Sequence, residues 1–177
     1  MKVYLIRHSE PTYTQVNAAG LRGYGRELGQ LTEHGIQIAQ QRAHDPLFKD
    51  VQLLLSSPYT RTLQTGLEIV RFNDLPLKVE LNLREWQPDV TGKRTDTDAE
   101  ASAAYQVYQQ YPNQRPSDAP LPYETVPELR ARVLNVFKQY QTQGYQCIAC
   151  VTHGELIHQL VPGGDLDFCD VRELTID

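Results

Sequence analysis

Cysteine is scarce in this chain, which has three among its 177 residues. An odd number of cysteines suggests no disulfide framework. Cys147 and Cys150 have the C-x-x-C spacing, but they belong to an apolar run that is typical of a strand. Residues three apart in a strand point to opposite faces of the sheet. We therefore predict that these two thiols share neither a metal ion nor a disulfide.

Long hydrophobic runs are also missing. No apolar stretch approaches the roughly 20 residues that a helix needs to cross a bilayer. The chain enters a strand-like run at Val3, without a signal peptide before it. Together with the cysteine usage, these absences lead us to expect a cytoplasmic protein without a membrane partner.

An excess of positive charge is missing as well. The chain has 17 lysines and arginines against 22 aspartates and glutamates, which gives a net charge of -5. This balance argues against nucleic acid as the main partner. It does not exclude a phosphorylated substrate, because a local cationic pocket can sit in an acidic protein. The length and the hydrophobic fraction of 40% fit one globular domain over residues 1–177.

Recognisable metal and nucleotide motifs are absent. The segment from His153 to His158 reads His-Gly-Glu-Leu-Ile-His, so its histidines are five apart and do not share one helical face. Residues 12–31 are predicted to form a glycine-rich loop, but they lack the G-x-x-x-x-G-K-[ST] pattern of a P-loop. We therefore expect neither a metal ion nor another cofactor.

The chain does contain alternating strand-like and helix-like segments. Apolar runs predict strands over residues 3–7, 51–56, 77–82, 146–151 and 170–176. Apolar periodicity and capping signals predict helices over residues 32–43, 58–71, 126–142 and 154–161, with Ser57 as the N-cap of the second. This alternation predicts an α/β fold, a three-layer sandwich with a mainly parallel central sheet and helices on both faces.

Residues 86–124 interrupt this alternation. The stretch is rich in Gln, Pro, Asp and Tyr, and within it Ala99 to Tyr111 predict a helix that prolines terminate. We interpret the stretch as an insertion that forms a lid over the edge of the sheet. A solvated surface excursion is the alternative, since polar, proline-rich segments are often just that.

Functional side chains follow three of the predicted strands. Arg7 and His8 come directly after the first strand, Arg61 falls in the first helical turn after the second, and His153 follows a later one. The carboxyl ends of parallel strands meet at one edge of a sheet, where open α/β sheets bind ligands. We therefore expect a pocket for a dianion at this edge, and Glu85 can bring a carboxyl group to it.

These residue types suit phosphoryl transfer without a metal ion. Arg7 and Arg61 can each present two N–H donors to phosphate oxygens, and His153 can add another. Their charge would keep the imidazole of His8 neutral, so that it can attack phosphorus. Glu85 lies among apolar neighbours that would raise its pKa, as a general acid requires. A surface glutamate is the alternative for this residue.

The same segments resemble the motifs of the histidine phosphatase superfamily, the group that includes cofactor-dependent phosphoglycerate mutase. Arg7-His8 resembles the family's Arg-His-Gly opening, and residues 57–65 are similar to its second signature almost residue for residue. Residues 31–35, 83–85 and 151–154 resemble three further motifs. All of them occur in the family's order, and together they span most of the chain.

The resemblance also implies residues that bind the substrate. Tyr24 and Gly25 fall where the family's first loop meets the substrate, Arg22 is near enough for a second anionic group, and Thr14 replaces the asparagine of the mutases. A flexible loop with solvated arginines is the alternative. Ser9 replaces the glycine that usually follows the nucleophile.

We therefore interpret the chain as an enzyme, a metal-independent phosphomonoester hydrolase that works through a phosphohistidine on His8. A phosphoglycerate-type mutase of the same fold is one alternative. A non-catalytic module that binds a phosphorylated ligand or a protein is another. The expected partner is a small phosphorylated substrate or a phosphoprotein, and the sequence indicates no particular oligomeric state.

Overall fold

A five-stranded sheet lies at the centre of the computed structural model, which describes all 177 residues. In chain order the strands are β1 (Lys2–Arg7), β2 (Pro11–Thr12), β3 (Gln30–Leu31), β4 (Leu54–Ser56), β5 (Leu77–Val79), β6 (Cys147–Thr152) and β7 (Val171–Thr175). The central sheet has the order β5-β4-β6-β1-β7, and β2 pairs with β3 in a separate ribbon. Strands β5, β4, β6 and β1 are parallel, whereas β7 runs antiparallel to β1.

Six α-helices surround this sheet. They are α1 (Thr14–Ala18), α2 (Glu33–Ala43), α3 (Thr60–Asn73), α4 (Asp98–Gln110), α5 (Val126–Thr142) and α6 (Gly154–Leu160). Short 3-10 helices span Gly23–Leu28, Pro46–Asp50 and Leu81–Leu83. None of the helices is long and apolar enough to cross a membrane.

Alternate residues of the strands face two separate hydrophobic clusters. On β1, Val3 and Leu5 enter one cluster with side chains of α4, α5 and α6, whereas Ile6 enters the other with side chains of α2 and α3. Cys150 and Cys147 divide in the same way on β6, and both are free thiols. This period of two residues confirms the three-layer sandwich and the separation of the two cysteines.

The start of α3 differs from the prediction. The helix begins at Thr60, because the amide of Ser57 continues the strand pairing by donating to the carbonyl of Val151 at 3.0 Å. Ser57 therefore does not cap the helix. The hydroxyl of Thr62 donates instead to the carbonyl oxygens of Tyr59 at 2.6 Å and Ser57 at 2.9 Å. Arg61 still lies in the first turn, as expected.

Residues 12–31 contain more regular structure than the predicted loop, since they hold α1, a 3-10 helix, β3 and the end of β2. Residues 86–124 are packed in part. Helix α4 starts with a capping box formed by Thr97 and Glu100, and Trp86, Tyr108 and Tyr123 join the larger hydrophobic cluster. Helix α4 and these aromatic side chains therefore pack against the body of the protein, whereas residues between α4 and Tyr123 are largely exposed. The action of the insertion as a lid remains a prediction.

Candidate active site

Three parallel strands deliver the candidate residues to one edge of the sheet. Arg7 pairs with Thr152 in the register of β1 and β6, so His8 and His153 follow at the same level. The amide of His8 donates to the carbonyl of Thr152 at 2.9 Å. The two imidazole rings meet edge to face with their centres 5.4 Å apart. Strand pairing therefore fixes the distance between the two histidines.

His8 is held in one tautomer. Its Nδ1 lies 2.7 Å from the carbonyl oxygen of Ser9, and because a carbonyl can only accept, Nδ1 carries the hydrogen. The Nε2 lone pair is therefore free. Burial and the nearby guanidinium groups of Arg61 and Arg7 lower the pKa of His8 to about 3. The ring is neutral at physiological pH and presents an unprotonated nitrogen.

His153 is fixed at both ring nitrogens. Its Nδ1 lies 3.3 Å from Nη2 of Arg61, which can only donate, so Nδ1 accepts. Its Nε2 lies 2.8 Å from Oγ of Ser57, which accepts the remaining ring hydrogen. Burial and Arg61 hold the pKa of His153 well below its ordinary value. Ser57 thus supports the histidine, a contact that the sequence did not reveal.

Arg61 has a carboxylate partner that the sequence also did not reveal. Its Nη1 lies 2.7 Å from Oε2 of Glu27, and Oε1 of Glu27 lies 3.8 Å from Nη2 of Arg94. Arg94 is buried and pairs with Asp96 at 2.9 Å. The Nε of Arg61 is buried and has no hydrogen-bond partner. Glu27 therefore joins the site to the insertion and leaves one donor of Arg61 unused.

Arg7 contacts the segment between α6 and β7. Its Nη1 donates to the carbonyl of Leu166, and its guanidinium carbon lies 4.6 Å from the ring centre of Phe168. The same phenyl ring lies 6.2 Å from the ring of His8. The Nε of Arg7, like that of Arg61, is buried without a partner. Both guanidinium groups thus retain an unused donor.

Glu85 lies at the N-terminus of α6. Its Oε1 accepts from the amides of Trp86 at 2.8 Å and Leu156 at 3.1 Å, and its Oε2 accepts from the amide of Glu155 at 3.2 Å. Burial raises the pKa of Glu85 to about 7, although these amides and Arg61 favour the charged form. The carboxyl group can therefore exchange a proton near neutral pH.

The four residues expected to bind substrate lie in a less connected region. Thr14 is exposed and shares a hydrogen bond of 3.0 Å with Thr12, and Arg22 is exposed. The ring of Tyr24 lies 5.2 Å from the guanidinium of Arg94, and Gly25 adjoins Leu21. No hydrogen bond joins these four residues to the rings of His8 or His153, and their roles remain predictions.

Gly23, which the sequence did not single out, ties this loop to the insertion. Its φ is +55°, a conformation that favours glycine, and a Cβ there would lie 1.7 Å from the carbonyl oxygen of Arg94. Its amide donates to Asp96 at 3.1 Å. The position of Glu27 on the same 3-10 helix thus depends on this close approach.

The arrangement places a neutral histidine near two guanidinium groups, with a carboxyl group of raised pKa on the neighbouring helix end. No group of three or more His, Cys, Asp or Glu side chains is arranged to hold a metal ion. The family model of the histidine phosphatase superfamily (branch 1) matches residues 3–164. The chain therefore belongs to the histidine phosphatase superfamily.

One curated relative agrees with this membership, and two solved structures share the fold. A protein of Hydrogenobacter thermophilus named "Putative phosphoserine phosphatase 2" is 30% identical over 162 residues, which cover 90% of this chain and 76% of that protein. The structure is also similar to a mycobacterial glucosyl-3-phosphoglycerate phosphatase complexed with VO3 (TM-score 0.72, 20% identity, 98% of this chain and 90% of that one). A phosphoglycerate mutase from Bacillus anthracis shares the fold (TM-score 0.66, 20% identity, 98% and 86%).

Proposed function

We propose that this enzyme hydrolyses small phosphomonoesters through a phosphohistidine on His8, without a divalent metal ion. The state of His8 carries the proposal. Its imidazole is neutral with a free Nε2, because Nδ1 donates to Ser9 and because burial and two guanidinium groups lower the pKa of the ring. Such a ring is a nucleophile positioned beside a binding site for a dianion.

The arginines account for substrate binding in this scheme. The guanidinium groups of Arg7 and Arg61 lie close enough to His8 to lower its pKa, and their planar N–H donors suit phosphate oxygens. The guanidinium groups then neutralise the equatorial oxygens, a role that magnesium has in many other phosphoryl-transfer enzymes. The phosphoryl group is thereby held with its phosphorus towards Nε2 of His8.

The first chemical step forms the phosphoenzyme. Nε2 of His8 attacks phosphorus as the bond from phosphorus to the alcohol oxygen breaks. Protonated Glu85 gives its hydrogen to that oxygen, and the alcohol leaves as a neutral molecule. A pKa of about 7 suits this donation, because a large fraction of Glu85 is protonated at neutral pH.

The second step returns the enzyme to its starting state. Ionised Glu85 takes a proton from water, and the resulting hydroxide attacks phosphorus as the bond from Nε2 to phosphorus breaks. Inorganic phosphate leaves, and both His8 and Glu85 recover their original protonation states. The same carboxyl thus acts first as an acid and then as a base, which a pKa near the working pH allows.

The relatives support a small phosphorylated substrate. The Hydrogenobacter protein is named a putative phosphoserine phosphatase, and the structurally similar mycobacterial protein is named a glucosyl-3-phosphoglycerate phosphatase. A phosphoprotein is the alternative substrate. Because phosphoryl chemistry is the same for both, the leaving group alone distinguishes them.

A substrate panel tests the proposal. Phosphorylated amino acids, sugars and hydroxy acids, together with a phosphopeptide, are incubated with wild type and with His8→Ala, and released phosphate is measured. We expect release from at least one small monoester by wild type and none above background by the variant. Equal release by both proteins would contradict the role of His8, and release from the phosphopeptide alone would contradict the substrate class.

A further inference from the structure

Glu155, the second residue of α6, is a carboxylate next to the proposed general acid. Its main-chain amide donates to Oε2 of Glu85 at 3.2 Å. Its side chain accepts hydrogen bonds from the hydroxyls of Tyr105 at 2.9 Å and Tyr108 at 2.8 Å, and from Nε2 of Gln159 at 2.8 Å. One residue therefore contacts both the proposed acid and the helix of the insertion.

All three donors to the Glu155 side chain are neutral. No lysine, arginine or histidine lies within 4.0 Å of its carboxylate oxygens, although the chain forms ion pairs at ten other places. Three hydrogen bonds from neutral groups hold the carboxylate in place without supplying a positive charge beside it.

The other charges around Glu85 are largely compensated. The ionisable groups that face Glu85 are Arg61 of α3, Tyr105 and Tyr108 of α4, Arg132 of α5 and Glu155 of α6. Arg132 is paired with Glu124 through bonds of 2.5 and 2.8 Å, and Arg61 is paired with Glu27 at 2.7 Å. Glu155 is the one member of this set whose charge has no counter-ion.

We propose that Glu155 is a positioning residue for Glu85, which it orients through its amide and keeps protonated through the charge of its side chain. The proposal rests on the function proposed above. The tyrosines of α4 fix the carboxylate at its place, so the insertion contributes to the acid–base step without touching the phosphoryl group. Burial is the main cause of the raised pKa of Glu85, and Glu155 adds to it, because like charges in proximity favour the protonated form of one of them.

Replacement of the charge alone tests the proposal. Glu155→Gln keeps the amide and the ability to accept hydrogen bonds but removes the charge, so Glu85 loses its proton more easily. We expect the descending limb of kcat/KM for an alkyl phosphate, near pH 7 in wild type, to move down by about half a pH unit or more. Because wild type and variant are compared on the same substrate, the titration of the substrate affects both pH profiles equally.

Two further variants and a direct measurement complete the design. Glu155→Asp retains the charge and should leave the limb close to that of wild type. Glu173→Gln removes an exposed carboxylate on β7 and should not move it. Carbon-13 NMR follows the titration of the Glu85 carboxyl directly, even in a Glu155 variant that has lost its activity. The signal of Glu85 is assigned by its absence in Glu85→Gln.

The outcomes separate the two proposals. An unmoved limb and an unmoved NMR titration in Glu155→Gln would overturn the inference about Glu155. Equal shifts in Glu155→Gln and Glu155→Asp would also overturn it, because they would show that charge is not the cause. If Glu85→Gln instead left alkyl phosphate hydrolysis unchanged, the role of Glu85 in the proposed function would fail.

Discussion

Nδ1 of His8 lies 2.7 Å from the carbonyl oxygen of Ser9, and this contact determines which nitrogen of the ring can react. Because Nδ1 carries the hydrogen, Nε2 presents its lone pair. Burial and the arginines then keep the ring unprotonated, since the pKa of His8 is lowered to about 3. In the proposed mechanism, the nucleophilicity of His8 at neutral pH therefore follows from one hydrogen bond, burial and the surrounding charges.

The first prediction concerns this nucleophile. His8→Ala should lower turnover to less than about a thousandth of the wild-type rate, because no other group replaces Nε2. Wild type mixed briefly with labelled substrate and quenched in alkali should retain an acid-labile phosphoryl label. His34→Ala, which changes an exposed histidine, serves as the control and should behave as wild type. Retention of a tenth of the activity by His8→Ala would contradict the covalent mechanism.

The second prediction concerns Glu85. The alkoxide that leaves an alkyl phosphate is a poor leaving group and needs a proton, whereas nitrophenolate leaves almost as readily without one. Glu85→Gln should therefore slow alkyl phosphates by about a hundredfold or more and p-nitrophenyl phosphate far less. In wild type, kcat/KM for alkyl phosphates should fall as the pH rises through about 7, because Glu85 then loses its proton. Equal losses on both substrates would indicate that Glu85 only positions other groups.

Much of this site follows from the sequence, because Arg7, His8 and His153 each come directly after an apolar run. Parallel pairing then brings such residues together without further information. Glu27 and Arg94 could not be found in this way. Their contact depends on the loop geometry at Gly23 and on the positive φ of Arg94, +40°, neither of which has a periodic signal.

Two other contacts were also beyond sequence reasoning. Phe168 reaches Arg7 only because the chain returns to the edge of the sheet after α6, and nothing local in residues 161–170 indicates that path. Ser57 matched the pattern of a helix cap, since it precedes Pro58. The amide of Ser57 pairs with β6 instead, so the helix begins at Thr60, and the hydroxyl of Ser57 lies beside His153. Long-range packing thus overrides a local preference at Ser57 and acts without any local signal at Phe168.

The third prediction concerns the joint between the first loop and the insertion. Gly23→Ala should lower the free energy of unfolding by roughly 1–3 kcal/mol or more, because it adds a clash with the Arg94 carbonyl to the cost of a positive φ. Gly20→Ala is the matched control, since its φ is +64° but nothing lies within 4 Å of its Cβ. Urea unfolding of both variants measures the difference. A loss for Gly23→Ala no larger than for Gly20→Ala would contradict the tight joint.

The fourth prediction concerns charge neutralisation. If the arginines supply it, activity should be unchanged by EDTA, and vanadate should inhibit by adopting the geometry of the transferring group. Arg61→Lys should weaken this inhibition about tenfold or more, because lysine lacks the planar pair of donors. Arg71→Lys, on the exposed face of the same helix, should have no effect. Loss of activity on chelation that magnesium or zinc restores would contradict the metal-independent mechanism.

The fifth prediction separates hydrolysis from isomerisation. A mutase must protect its phosphohistidine from water and rebind the intermediate, and related mutases follow their acid with a cationic Arg-His-Tyr segment. Here Glu85 is followed by Trp86 and Gln87, which are buried in packing, so this segment supplies no cation for a substrate carboxylate.

Exposed Thr14 also replaces the mutase asparagine. An intermediate that is weakly held is released, and water then reaches the phosphoenzyme. We therefore expect phosphate release from monoesters with negligible interconversion of 3- and 2-phosphoglycerate, both followed in one assay by phosphorus-31 NMR. Isomerisation faster than phosphate release would falsify the hydrolase interpretation and leave the phosphohistidine chemistry intact, because both reactions pass through the same bond from Nε2 of His8 to phosphorus.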